Sequence, residues 1–107
     1  MSSEAIRNLN DAFRRSLAGG KVMMTAGIAA LPDATRAKVL DEVRKFDAFS
    51  ADSDPHGEHD FGNFGVDGRK LFWKIDYFDA AMEFGSEDPA DPSKTTRVLT
   101  IMLASEY

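Results

Sequence analysis

The sequence contains no cysteine. A chain without cysteine forms neither a disulfide nor a thiolate metal site, which fits the reducing environment of the cytoplasm. No apolar run reaches the ~18 residues that a membrane-spanning helix requires, and the N-terminal segment is too polar for a secretory signal. Glycine-rich phosphate loops and nucleophile motifs are missing as well. These absences predict a cytoplasmic protein with no membrane partner and remove the best-known catalytic signatures.

What is present is an ordinary globular composition, with 43% hydrophobic and 29% charged residues. A length of 107 residues predicts a single domain, residues 1–107, that buries about 65% of the surface exposed by its unfolded chain. The net charge of −5 is unevenly distributed, because residues 1–46 are net basic and residues 47–107 are strongly acidic. An acidic surface repels nucleic acid and favours basic partners or cations.

Two N-terminal segments have the apolar spacing of helices. Residues 3–17 carry one apolar stripe at steps of three and four, and Gly19-Gly20 follows it as a stop signal. Leu31-Pro32-Asp33 opens a second helix, because proline is favoured in a first turn. Between them, residues 21–25 are a short β-like run. The two predicted stripes are Ile6, Leu9, Phe13 and Leu17, and Val39, Leu40, Val43 and Phe46.

The strongest local pattern is a β-hairpin with its turn at Asp67-Gly68. Asp-Gly between two β-prone runs is typical of a two-residue turn in which both residues need positive φ. The strands are then residues 61–66 and 69–78, and a two-residue turn places Trp73 opposite Gly62. In the same register His59 would oppose Asp76, unless a bulge at Gly62 or Gly65 changes the pairing.

Together these elements predict an α+β fold, with two N-terminal helices packed on a mainly antiparallel sheet of four to five strands. Residues 97–104 are almost continuously apolar, as expected of a central strand covered on both faces. Residues 87–93 contain two prolines and predict an exposed rigid loop. The predicted core is Phe13, Leu40, Val43, Phe64, Trp73, Ile75, Leu99 and Ile101. An exposed edge strand of such a sheet would allow a homodimer.

Several short blocks of the sequence carry a resemblance to a known family. The blocks are Asn10-Asp11, Thr25-Ala26-Gly27, and the segments 54–62, 73–77, 85–89 and 97–103. They resemble a small bacterial family described only as a domain of unknown function and found largely on plasmids and other mobile elements. The resemblance covers nearly the whole chain and implies no activity, cofactor or catalytic residue. It implies a setting, since genes carried on such elements must survive host defence.

Both histidines and three carboxylates lie within residues 54–60. Imidazole and carboxylate groups together suit zinc, manganese or iron, so one hypothesis is a metal-assisted, hydrolase-like enzyme. A second is an oriented His59–Asp76 pair for proton transfer, and a third is a polar turn with only a structural role. The metal hypothesis would use His56, Glu58, His59 and Asp60.

The acidic C-terminal half supports a different class of function. Its carboxylates could imitate phosphates and occupy a basic nucleic-acid-binding groove on a host protein. This hypothesis describes a non-enzymatic interaction module without a cofactor, acting as an inhibitor of anti-CRISPR or anti-restriction type and not binding nucleic acid itself. The expected partner-binding residues are Asp76, Asp79, Glu83, Glu87, Asp88 and Asp91.

Overall fold

A computed structural model describes residues 2–107, with side chains described from residue 3 onwards. The helices are α1 (Ser2–Ser16), α2 (Ala26–Ala29) and α3 (Asp33–Lys45), and a short 3-10 helix covers Ala104–Glu106. The strands are β1 (Lys21–Met24), β2 (Phe61–Val66), β3 (Arg69–Phe78) and β4 (Thr96–Leu103). No helix in the described part of the chain is long and apolar enough to cross a membrane.

The four strands form one sheet in the order β1-β4-β3-β2. β2, β3 and β4 pair antiparallel, whereas β1 pairs parallel with β4. The α+β class and the mainly antiparallel sheet are therefore confirmed. The number of helices differs from the prediction, because the small residues after β1 form the one-turn helix α2 between the two predicted helices. β1 and β2 are the sheet edges, and the homodimer stays a prediction.

The hairpin has the predicted register. Val66 pairs with Arg69 and Gly62 with Trp73, without a bulge. The turn residues Asp67 and Gly68 have φ angles of 51° and 80°, as a two-residue turn of this type requires. The bare backbone of Gly62 lies against the Trp73 indole, and a Cβ added at Gly62 would collide with that ring.

One face of the sheet packs against the helices. Trp73, Leu71, Leu99 and Ile101 on this face are completely buried, as is Val43 of α3. Most of the predicted core is confirmed, whereas Leu40 and Phe64 are only partly buried and pack at its periphery. Because strand residues alternate, the neighbouring positions point to the other face, where Val98 and Met102 are buried and Tyr107 packs against Phe72.

Candidate functional site

Two polar regions are organised by this fold. The first, called the polar junction, joins α1, the segment before β2, the end of β3 and the start of β4. The second, called the acidic loop, comprises residues 79–95 between β3 and β4. The polar junction consists of Asn10, Asp11, Arg14, Asp54, Glu58, His59, Tyr77 and Arg97.

His59 does not face Asp76, and this prediction was wrong. β2 begins only at Phe61, and the backbone at His59 has a φ of 55°, which breaks the strand alternation on which the prediction relied. The imidazole instead reaches α1, where its Nδ1 lies 2.9 Å from Oδ1 of Asp11. The Asp76 carboxylate lies 2.9 Å from the Lys74 ammonium on β3.

The His59 ring is enclosed by its neighbours. Its Nε2 lies 3.7 Å from the carboxylate of buried Asp54, which also accepts the His59 backbone N–H at 3.2 Å. One ring face stacks on Phe49 with 3.7 Å between the ring centroids. Both nitrogens thus face carboxylates and one face is covered, so the geometry favours the structural role of this histidine over proton transfer to a substrate.

Asn10 connects the four parts of the polar junction. Its side chain is fully buried, and its amide N–H₂ donates to the Glu58 carbonyl at 2.9 Å and to the Tyr77 hydroxyl at 2.8 Å. Its carbonyl oxygen accepts from Nε of Arg97 at 2.7 Å. Sequence reasoning missed Asn10, although a signal existed: it lies four residues after Ile6 and three before Phe13, on the apolar stripe of α1.

Burial shifts the pKa values of Tyr77 and Arg97 in opposite directions. Burial raises the pKa of the Tyr77 hydroxyl well above its usual range, and its hydrogen bond to Glu58 acts in the same direction. The hydroxyl donates to Oε1 of Glu58 at 2.9 Å. Burial lowers the pKa of Arg97, whose guanidinium carbon lies 5.2 Å from the Tyr77 ring centroid. A neutral Tyr77 is therefore a permanent donor to Glu58.

Arg14 is the most deeply buried cation of the polar junction, with no exposed surface. One guanidinium nitrogen donates to the carbonyls of Val43 and Arg44 at the end of α3, and the other donates to Asp11 at 3.1 Å. The guanidinium carbon also lies 5.1 Å from the Trp73 ring. Burial lowers the pKa of Arg14, and the hydrogen bond to Asp11 opposes that change. Arg14 of α1 thus supplies hydrogen-bond donors to the C-terminal carbonyls of α3.

The four residues of the metal hypothesis are not arranged as a metal site. His56 is exposed, Glu58 is hydrogen-bonded to Tyr77, and His59 contacts Asp11. Among residues 3–107, no three His, Asp or Glu side chains converge in a way that could hold a metal ion. The residues present therefore do not fit a bound zinc, manganese or iron.

We expect Asp60→Asn to stabilise the protein at pH 7. Partial burial, and then the negative charge of Glu58, raise the pKa of Asp60, so its ionisation opposes folding. The stability that this raised pKa contributes is fully present below about pH 3.9, the pKa of Asp60 in the unfolded chain. It is lost as the pH rises through the higher pKa of Asp60 in the folded protein. Urea unfolding from pH 3.5 to 7 should show a gain for the variant that vanishes at the acidic end. Exposed Asp52→Asn is the control, and a variant less stable at pH 7 would contradict the expectation.

Backbone hydrogen bonds constrain the conformation of the acidic loop. The N–H of Asp79 donates to the Phe84 carbonyl at 2.7 Å, and the N–H of Ser86 donates to the Tyr77 carbonyl at 3.0 Å. The hydroxyls of Ser86 and Thr95 lie 2.7 Å apart, which joins the middle of the loop to its C-terminal end. Such bonds hold the loop in one shape before any partner arrives.

The predicted partner-binding acids occupy two kinds of position. Asp79, Asp88 and Asp91 accept backbone N–H bonds inside the loop. The hydroxyl and N–H of Ser93 lower the pKa of Asp91. Glu83 and Glu87 are exposed, while Asp76 lies outside the loop on β3. The role of these acids in partner binding stays a prediction.

The unexpected residue of the acidic loop is Phe84. Its side chain is 71% exposed, and Met82 nearby is 38% exposed with a positive φ of 61°. Phe84 and Glu87 line a shallow groove of about 500 Å³. Sequence reasoning counted only the acids here, because an aromatic residue within a loop gives no periodic signal of its exposure.

The comparisons with known proteins place the chain in a family without assigning it an activity. The model of a family described as a protein of unknown function, DUF3768, matches residues 24–106, so the chain belongs to this family. No curated protein and no solved structure matches the sequence.

Proposed function

We propose that this member of the DUF3768 family is a non-enzymatic protein-interaction module that docks its acidic loop onto a basic surface of another protein. The observation that carries the proposal is Phe84, a large aromatic side chain that is 71% exposed among the acids of a hydrogen-bonded loop. Aromatic anchors that enter a pocket on the partner supply most of the energy of many interfaces.

The surroundings of Phe84 define the chemistry of the partner. Glu83 and Glu87 are exposed on either side of it, and Lys94 is the only basic residue within residues 79–95. Charges at the rim of an interface mainly raise the association rate and select the partner, whereas a buried aromatic centre determines how long the complex lasts. The matching surface has an apolar cleft surrounded by Lys and Arg.

The class of protein that carries this basic surface can also be proposed. A groove that normally holds nucleic acid is rich in Lys and Arg, so a nuclease or CRISPR-type complex of a defended host is the partner class we propose. The exposed carboxylates Glu83 and Glu87 support this proposal, and a mobile-element setting would explain its use. It predicts that the complex weakens with salt and that DNA competes for the same surface.

The enzyme alternative has weaker support. Both His59 nitrogens face carboxylates. His56 lies on the surface, and among residues 3–107 it belongs to no group of three or more side chains that could hold a metal ion. An oriented histidine serves catalysis when a nitrogen remains directed towards a substrate. The polar junction instead connects distant parts of the chain, as expected of a structural network.

We expect Phe84→Ala to abolish partner capture while leaving the fold unchanged. The chain would be immobilised and exposed to extracts of a host bacterium, and proteins retained by wild type would be identified and purified. Truncating an anchor of this kind costs 2 kcal/mol or more, which is roughly a thirtyfold loss of affinity. The double variant Glu83→Gln/Glu87→Gln should associate with the partner more slowly than wild type at low salt.

The matched control changes two acids elsewhere. Asp41→Asn with Glu42→Gln removes the same charge from the exposed side of α3 and should bind as wild type does. Thermal melting shows whether each variant is folded. A partner that binds wild type and folded Phe84→Ala equally would refute the proposal.

A further inference from the structure

The side of the sheet not covered by α1 and α3 forms a second surface, which we call the open face. It follows from the strand alternation and the register, since residues two apart along a strand share a face and directly paired residues lie side by side. The members of the open face are Lys21, Met23, Phe61, Asn63, Gly65, Lys70, Phe72, Lys74, Asp76, Val98, Thr100 and Met102.

Aromatic rings occupy the β2–β3 side of the open face. Phe61 of β2 and Phe72 of β3 have ring centroids 5.3 Å apart, and Tyr107 meets Phe72 edge-on at 5.3 Å. The rings support one another without being fully buried, since Phe61 and Phe72 are partly exposed and Tyr107 is 74% exposed. A contiguous aromatic cluster that is still exposed marks a candidate binding surface.

A groove of about 550 Å³ opens beside Phe72. Gly65 contributes no side chain to it, so space remains next to the Phe72 ring, and the Asn63 amide and Lys70 line the same groove. This volume is within the range of small-ligand pockets. The groove therefore offers an aromatic surface, an amide that both donates and accepts hydrogen bonds, and a cation.

The charge of the open face is opposite to that of the whole chain. Lys21, Lys70 and Lys74 lie on it against one acid, Asp76, which is paired with Lys74 at 2.9 Å. Within residues 3–107 neither Lys21 nor Lys70 has a carboxylate within 4.0 Å. The acidic loop starts after Phe78, roughly 26 Å along β3 from Lys70.

We propose that the open face binds single-stranded nucleic acid, with a base stacked on Phe72 in the groove and a phosphate placed at Lys70. Unpaired bases stack on aromatic side chains of flat sheets, while a basic surface follows the backbone. The bases of a duplex are already stacked on one another, so this arrangement selects a single strand. The overall charge predicted no direct contact with nucleic acid, but Lys70 and the acidic loop lie at opposite ends of β3.

The test uses the full chain and a fluorescein-labelled twelve-nucleotide oligothymidine. Fluorescence anisotropy at low salt should show binding at least about tenfold tighter than that of a duplex of equal length. Phe72→Leu, which keeps an apolar side chain but removes the ring, should weaken binding about tenfold. Lys70→Gln should weaken binding and make the slope of log K against log salt less steep by about 0.7.

Two control variants separate this site from the acidic loop. Lys38→Gln removes a lysine that pairs with Asp67 away from the open face, and Phe84→Leu removes an exposed ring from the acidic loop. Both should bind the oligonucleotide as wild type does. Equal binding of duplex and single strand, or folded Phe72→Leu and Lys70→Gln variants that bind normally, would overturn the proposal. Thymidine monophosphate that binds as tightly as the oligonucleotide would assign the groove to a free nucleotide and overturn the strand proposal.

Discussion

Arg14→Ala is expected to lower the free energy of unfolding by about 3–5 kcal/mol, the range found when one partner of a buried charge pair is removed. The Asp11 carboxylate would lose its guanidinium, and the carbonyls of Val43 and Arg44 would lose their donor at the end of α3. The side chain is fully buried, so its removal also leaves a cavity beside Trp73. Urea unfolding measures the change.

The neighbouring arginine provides the control for this prediction. Arg15 is exposed, and Arg15→Ala should change stability by no more than about 0.5 kcal/mol. Arg14→Lys keeps the charge, but a single ammonium cannot reach the α3 carbonyls and Asp11 in the geometry of the planar guanidinium, so it should recover only part of the loss. Equal stability of the Arg14→Ala and Arg15→Ala variants would show that the buried guanidinium contributes nothing.

Gly62→Ala is expected to destabilise the protein by about 3 kcal/mol, at the upper end of the range for overpacking. The added Cβ would approach Cε2 of Trp73 at 2.7 Å and Cζ of Phe46 at 2.8 Å, and the Trp73 ring is completely buried in the core. The Trp73 ring cannot retreat without displacing its neighbours, because interiors are packed at the density of organic crystals.

A second glycine of β2 is the matched control. At Gly65 the nearest heavy atom to an added Cβ is the Arg69 carbonyl oxygen at 3.5 Å, an ordinary contact. Gly65→Ala should therefore be neutral or raise stability by up to about 1 kcal/mol, since alanine restricts the unfolded chain. Trp73→Phe removes the colliding part of the indole, so Gly62→Ala should cost less in that background. Equal effects of the two glycine substitutions would contradict the packing argument.

The parts of the fold that sequence reasoning predicted depend on local chemistry. The hairpin follows from Asp67-Gly68, whose two positive φ angles set the register for every pair up to Gly62 and Trp73. The apolar spacing of α1 and α3 predicted which helix faces enter the core. Each of these signals lies within a few residues of the structure it specifies.

The polar junction was not predicted because its contacts join distant residues. Asp11 and His59 are 48 positions apart, and Asn10 and Arg97 are 87 apart. No local pattern shows that His59 has a positive φ, yet that single angle turns its ring from Asp76 towards Asp11. The acids of the acidic loop were visible in the sequence, whereas the exposure of Phe84 depends on how the loop folds.

The parallel pairing of β1 with β4 has a consequence for the order of folding. Lys21 lies beside Val98 and Met24 beside Ile101, so in the sheet of residues 2–107 the neighbour of β1 is β4, which comes from much later in the sequence. Closing so long a loop is slow compared with forming the β2–β3 hairpin, whose strands are two residues apart. On a ribosome, β1 therefore remains unpaired until β4 has left the exit tunnel, and the sheet is completed only after nearly all of these residues have been synthesised.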